Sequence, residues 1–242
     1  MSGHSKWHNI QATKNKADAK RAKIFTKIGR EISVAVKLGG PDPSTNSKLY
    51  DIIQKAKSNN MPNDNITRSI KKASGEINNV NYDSITYEGY GPGGVAFIVE
   101  CLSDNKNRTA GDVRHAFDKH GGSLGTSGSV SFMFDRKGVV VIEKKDGLTE
   151  DNIFELAIMG GADDVVTEED SFIVYCDPSI LKDVNKTFVD AAIEPIQAEA
   201  ELIPSNYIVP TESQAESLRK LIDMLEDLDD VQEVYHNGDF EE

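Results

Sequence analysis

The segment GVVVIEKKDGLTEDNIFELAIMGGADDVVTEEDSFIVYCDPSILKDVNKTFVDAAIEPIQAEAELIP, residues 138–204, decides the fold. GVVVIEK is an apolar run of strand length. LTEDNIFELAIMGG follows with helical periodicity and stops at Gly160-Gly161, as a C-terminal glycine cap does. DDVVTEED is a weak strand and SFIVYCD a strong one. PSILKDVNKTFVDAA is a helix with Pro178 at its start, and IEPIQAEAELIP is a last strand. The order is βαββαβ, the ferredoxin-like arrangement.

Working outward, a β-α-β pattern precedes this block over residues 94–134. GVAFIVECL is a continuous strand, NRTAGDVRHAFDKH a helix and SVSFMFD an alternating strand. After the block, NYIVP reads as a short strand, residues 211–228 as a helix and DVQEVYH as a strand. Joined, the flanks make a second βαββαβ-like unit, which the ferredoxin-like block interrupts. Before both lie three amphipathic helices. The first runs from about Asn15 to Lys37 and is stopped by Gly39, Gly40 and Pro41. The second spans about 44–58, and the third starts near Pro62 and ends at Gly75. The expected class is α+β. The expected domains are a basic helical domain with an N-terminal arm (1–78), a split α+β domain (79–135 with 204–242) and an inserted ferredoxin-like domain (136–203).

Charge is segregated along the chain. The formal net charge is -13. Residues 1–75 nevertheless carry 15 Lys+Arg against 5 Asp+Glu, leaving 12 and 35 for the rest. In the first helix Ile24, Phe25, Ile28, Ile32, Ala35 and Val36 fall on one side. Lys16, Lys20, Lys23, Lys27, Arg30 and Lys37 form a neighbouring stripe, expected to face solvent. Only Asp18 and Glu31 lie near it, so i, i+4 pairing cannot neutralise it. A phosphate backbone would relieve the mutual repulsion and release counterions, giving steep salt dependence. Trp7, in the basic arm, could stack on a base. An acidic protein partner is the other reading of the stripe.

Other motifs carry less. GYGPGG (89–94) matches GxGxxG formally, but Pro92 interrupts it and a strand follows, so a tight turn between strands is expected. HGGSLGTSGSV (120–130) could offer backbone N–H groups to a phosphate, or simply connect two strands. His4 and His8 lack companion ligands. Cys101 and Cys176 sit in apolar runs and read as buried reduced thiols. No GxSxG, HExxH or paired-acid motif occurs, so no catalytic residue, metal or cofactor is expected, and the chain is not read as an enzyme. No apolar run approaches the ~20 residues of a membrane span, and the N-terminus lacks a signal-peptide core. A cytoplasmic monomer is expected.

MSGHSKWHNIQ (1–11), K-x-K-x-D-x-K-R-A-K-x-F (14–25), GGPDP (39–43), NMPNDNI-x-R-x-IKKASG (60–75), YEGYGPGG (87–94), SDNKNRT (103–109) and GGSLG-x-x-GSVSFMF-x-x-KG (121–138) together resemble the YebC family. Its members are described as transcriptional regulators, and it includes a mitochondrial translational activator of a cytochrome oxidase subunit. The resemblance covers essentially the full chain. It implies a three-domain fold with one α+β domain inserted in another, and a cytoplasmic, non-enzymatic regulator of gene expression. The polyanion would be DNA or, as the organellar relative suggests, rRNA and tRNA on the ribosome. No helix carries an evident set of base-reading side chains, which favours backbone recognition over operator reading. The expected nucleic-acid contacts are Lys6, Trp7, His8, Lys14, Lys16, Lys20, Arg21, Lys23, Lys27 and Arg30. Arg108, Gly121, Gly122 and Ser123 are candidate loop contacts.

Overall fold

A computed structural model describes residues 18–75 and 81–240. The chain has an α+β fold, with two four-stranded antiparallel sheets. It divides into two compact units. One comprises residues 131–209 and 237–240, the other residues 18–130 and 210–236.

The larger unit begins with a bundle of α1 (Asp18–Gly39), α2 (Ser47–Ser58) and α3 (Asn63–Ala73). Ile28, Ile32, Ala35 and Val36 of α1 meet Leu49, Ile52 and Ala56 of α2 and Ile66 and Ala73 of α3 in one core. Asn46 fastens the first corner. Its side-chain oxygen accepts from Leu49 N at 3.0 Å, capping α2. Its amide nitrogen donates to the carbonyls of Ala35 and Gly40, both at 2.8 Å, so the end of α1 is closed by the cap of the next helix. Gly39 is required there, because a Cβ would stand 2.7 Å from the Asn46 side chain.

The same unit continues with β1 (Asp83–Tyr90), β2 (Ala96–Ser103), α4 (Lys106–Lys119) and β3 (Ser123–Leu124). It is completed by α7 (Glu212–Glu226) and β8 (Val231–His236). Its sheet order is β3-β1-β2-β8. GYGPGG forms the turn of the β1–β2 hairpin, as expected, with Gly91 N donating to Val95 O at 2.8 Å. The other unit holds β4 (Phe134–Glu143), α5 (Glu150–Gly160), β5 (Asp164–Thr167), β6 (Ser171–Cys176), α6 (Leu181–Asp190) and β7 (Gln197–Pro204). Its order β5-β6-β4-β7 is the ferredoxin-like arrangement. Val140, Ile142, Phe172, Val174 and Cys176 face Ile153, Ala157, Val184 and Phe188 of its two helices.

Three details depart from the sequence reading. SVSFMFD is not a strand of its own. Residues Ser131–Met133 form a 3-10 turn, and β4 runs unbroken from Phe134 through Gly138 to Glu143. Gly138 is a packing glycine rather than a break, since a Cβ would meet Cys176 Sγ at 2.6 Å. NYIVP is not a strand either. It makes one isolated bridge, Ile208 to Gly238, within its own unit. The first sheet therefore takes its strands from a hairpin, a two-residue edge and β8, and is not a second βαββαβ. ITYEGY, outside the β-α-β pattern of residues 94–134, lies within an eight-residue strand paired over its full length with β2.

Replacing Asn46 with Ala removes a cap and leaves two carbonyls without their donor. It is expected to lower stability by about 2 kcal/mol, read as a fall in the urea midpoint at unchanged slope. Asn46→Asp should not rescue, because it keeps the cap acceptor but turns a carboxylate toward two carbonyl oxygens.

Candidate nucleic-acid interface

The two stripes of α1 have different fates. The apolar stripe is buried in the bundle as expected. The basic stripe does not face solvent along its length. Lys6, Trp7, His8, Lys14 and Lys16 lie outside the described residues, as does the side chain of Lys20. Arg21 is exposed. The next three turns meet an acidic segment some two hundred residues later in the chain. Lys23 Nζ lies 2.6 Å from the Asp227 carboxylate and donates to the Asp227 carbonyl at 3.2 Å. Burial pulls the Lys27 ammonium below its ordinary value, against the opposing pull of Glu233 and Glu226. Arg30 donates to Asp230 and to Leu102 O, the latter at 2.7 Å, and its guanidinium lies 5.2 Å from the centre of the Tyr82 ring. The expectation of a solvent-facing stripe is therefore corrected at Lys23, Lys27 and Arg30. Lys37, further along, is exposed and donates to Asn81.

Asp230 is the centre of this seam. Its side chain is only 8% exposed, and its carboxylate receives four side chains. Arg30 comes from α1. Arg108 Nη2 approaches from α4 at 2.7 and 3.0 Å, Thr109 Oγ1 at 2.5 Å and Ser103 Oγ at 3.1 Å. Burial alone would raise this carboxyl. The hydrogen bonds from Thr109, Arg108 and Arg30 outweigh it and hold the group at about 2. Arg108, a candidate loop contact by sequence, sits in the first turn of α4 and also bonds Asp104 at 2.7 Å, so its guanidinium is committed internally. The motif SDNKNRT thus has a structural meaning. Ser103, Arg108 and Thr109 grip Asp230, while Asn105 caps α4 by accepting from Arg108 N at 3.1 Å. These groups border a cleft of about 320 Å³ with Asp112 and Asp229.

The glycine loop is likewise occupied from within. Gly121 adopts φ +77°, and Gly122 N returns to Phe117 O at 2.9 Å, which ends α4. A Cβ on Gly122 would stand 2.7 Å from Tyr90 O. Ser123 begins β3 and pairs with Tyr90. Downstream, Gly128 N and Val130 N each donate to the buried Glu88 carboxylate at 2.8 Å, and Gly125 N donates to Glu88 O at 2.8 Å. Backbone N–H groups that the sequence offered to a phosphate are taken by a carboxylate of the same unit. Gly121, Gly122 and Ser123 therefore build the sheet edge.

Exposed cations that make no ion pair lie on the neighbouring helices, outside the residues singled out from the sequence, and on α4 at Arg114 and Lys119. Lys48 and Lys57 of α2 and Arg68, Lys71 and Lys72 of α3 are exposed and make no ion pair among the described residues. Arg68, Lys71 and Lys72 are spaced three and four apart and share one face of α3. Tyr50 of α2 is 52% exposed. The sequence signal was available, because Ile66, Ile70 and Ala73 fix the inward face of α3 and leave these three outside. Among the described residues, no group of three or more His, Cys, Asp or Glu is placed to hold a metal, and no helix is long and apolar enough to cross a membrane. Burial pushes the Cys101 thiol up to about 12, so it is a poor nucleophile at neutral pH.

Asp230→Ala leaves two guanidiniums facing a site with no counter-charge and should cost about 3–5 kcal/mol. The acid limb carries the sign. A carboxyl held below its ordinary 3.8 stabilises the fold fully above that pH and loses the contribution as pH falls toward about 2. Unfolding midpoints of the native chain should therefore drop across that window, and Asp230→Asn should flatten the drop.

Residues 5–76 match the family model described as the TACO1/YebC protein N-terminal domain, and residues 82–238 match that of the TACO1/YebC second and third domain. A protein named "Probable transcriptional regulatory protein ORF2U" from Hathewaya histolytica is 55% identical over 242 residues, 100% of this chain and 98% of the relative. A "Probable transcriptional regulatory protein" from Clostridium botulinum (strain Okra / Type B1) is 56% identical over the same span and coverage. Among solved structures, a conserved hypothetical protein from Aquifex aeolicus superposes with a TM-score of 0.84 at 42% identity, covering 94% of this chain and 93% of that one. Two family models that together span nearly the whole sequence, and relatives above half identity along its full length, show that this chain belongs to the TACO1/YebC family.

Proposed function

We propose that the chain is a non-enzymatic, nucleic-acid-binding regulator of gene expression that holds its target through backbone phosphates. The observation that carries this reading is the set of five exposed, unpaired cations on α2 and α3 in a chain of net charge -13. The basic residues Lys6, Lys14, Lys16, Lys20 and Arg21, with Trp7 and His8, precede them in the sequence and extend the same charge. Curated relatives are named probable transcriptional regulatory proteins, which supports a regulatory role; the proposed target is DNA. It would act as a monomer in the cytoplasm.

One observation favours a second reading, a ribosome-associated translation factor on rRNA or tRNA. Four of the five cations are lysines, which act as point charges on phosphate. The bidentate contacts that read base edges call for Arg, Asn or Gln. Backbone gripping of this kind suits a structured RNA as well as a duplex.

Charge reversal at Arg68, Lys71 and Lys72 is expected to weaken binding to a 30-base-pair duplex or to purified ribosomal subunits at least tenfold, with an unchanged melting temperature. The slope of log affinity against log salt should fall by roughly 3 contacts' worth. Reversal at Lys23 and Lys27 should instead lower the melting temperature, since those side chains face Asp227, Glu226 and Glu233. Fluorescence anisotropy and thermal unfolding check both. Failure of the native chain to bind any duplex or ribosomal RNA at 50 mM salt would overturn the proposal. Sedimentation of the native chain with ribosomal subunits, lost in the α3 variant, selects translation over a promoter target.

A further inference from the structure

A helix on a protein surface is ordinarily apolar on one side and polar on the other. α7 obeys this. Ala215, Leu218, Leu221, Ile222 and Leu225 point inward, while Glu212, Glu216, Lys220, Asp223 and Glu226 are exposed. α5 of the ferredoxin-like unit does not. Ile153 and Ala157 fill the core, yet Phe154, Ile158 and Met159 on the outer side are 50%, 61% and 72% exposed. Ten large hydrophobic side chains are exposed among the described residues. Three of them fall on this one helix of eleven residues, and no other helix carries more than one. Phe154 and Ile158 are four apart and stack along one face, with Met159 beside them.

The charges on this helix have one sign, while the helix packed against it carries Lys182 and Lys186. α5 carries Glu150, Asp151 and Glu155 and no Lys or Arg. Asp151 and Glu155 are exposed on the same outer side. Residues 131–209 hold 17 Asp+Glu against 6 Lys+Arg. Such a surface repels phosphate, so it is not an extension of the nucleic-acid interface. An exposed apolar strip flanked on its own helix by acids alone is the complement of an amphipathic helix with a basic border.

We infer that the outer face of α5 docks a basic amphipathic helical segment of a partner protein, with Phe154 and Ile158 as the apolar anchors and Asp151 and Glu155 as the charged fringe. The inference is independent of what the helical bundle binds. The test uses the full chain and two synthetic helical peptides, one patterned with Leu and Lys and one with Leu and Glu. The Leu/Lys peptide should bind with an affinity on the order of 10 µM, as befits a small transient interface, and the Leu/Glu peptide at least tenfold more weakly. Phe154→Ser with Ile158→Ser should weaken the Leu/Lys peptide at least tenfold. Phe132→Ser, at a residue 75% exposed elsewhere in the unit, should leave it unchanged. Asp151→Lys with Glu155→Lys should reverse the preference between the peptides without touching the apolar anchors. Equal binding by the Phe154/Ile158 variant, or no preference between the peptides, overturns the inference. So does sedimentation showing that the native chain is a dimer which that variant dissociates, because the occupant would then be a second copy.

Discussion

A carboxylate shared by two guanidiniums holds the larger unit together. Asp230 lies between the end of α7 and the start of β8 and reaches Arg30 of the helical bundle and Arg108 of α4 at once. Such a group is costly to desolvate and stable only when its lone pairs are satisfied. Thr109 and Ser103 supply the remaining donors, while the Asp230 carbonyl takes Leu102 N at 2.8 Å, so that side chain and backbone fix the same corner. Around it, Lys23, Lys27 and Lys55 face Asp227, Glu226 and Glu233. The bundle and the sheet of this unit therefore meet through an ionic seam.

That seam changes how the charge segregation is read. The first 75 residues are basic and the remainder acidic, but part of the imbalance is cancelled inside the fold. The cations nearest the acidic segment between α7 and β8 pair with it, and those exposed on α2 and α3 make no ion pair among the described residues. The glycine loop repeats the pattern at smaller scale. Its backbone donors surround Glu88 and thereby fix the edge of the sheet beside β1. In both places a feature that resembles an anion site is satisfied by an acid of the same chain.

The ferredoxin-like unit shows the opposite situation. Its core is closed by Phe172, Phe188 and Ile153, and its sheet order follows from the chain order. What remains unsatisfied is outside, on α5, where apolar side chains face solvent between acids. Exposed cations in one unit and an apolar, acidic face in the other give the molecule two chemically distinct surfaces.

Periodicity and punctuation determined much of this. The three helices of the bundle, the βαββαβ order and the hairpin turn at GYGPGG were legible because each depends on residues within a few positions of one another. The inward faces Ile28/Ile32/Val36 and Leu218/Leu221/Leu225 follow from the 3.6-residue repeat alone. Gly138 misled, because a glycine inside a strand marks either a break or a close contact. Only the position of Cys176 and Leu181 decides between them. The fate of the basic stripe was not legible at all. Lys23 and Arg30 meet Asp227 and Asp230 across about two hundred residues, and local sequence holds no trace of that meeting. The sequence determined which residues carry charge and which build the core. The tertiary structure decided which of those charges cancel each other, because electrostatic pairing depends on distance in space and not on position along the chain.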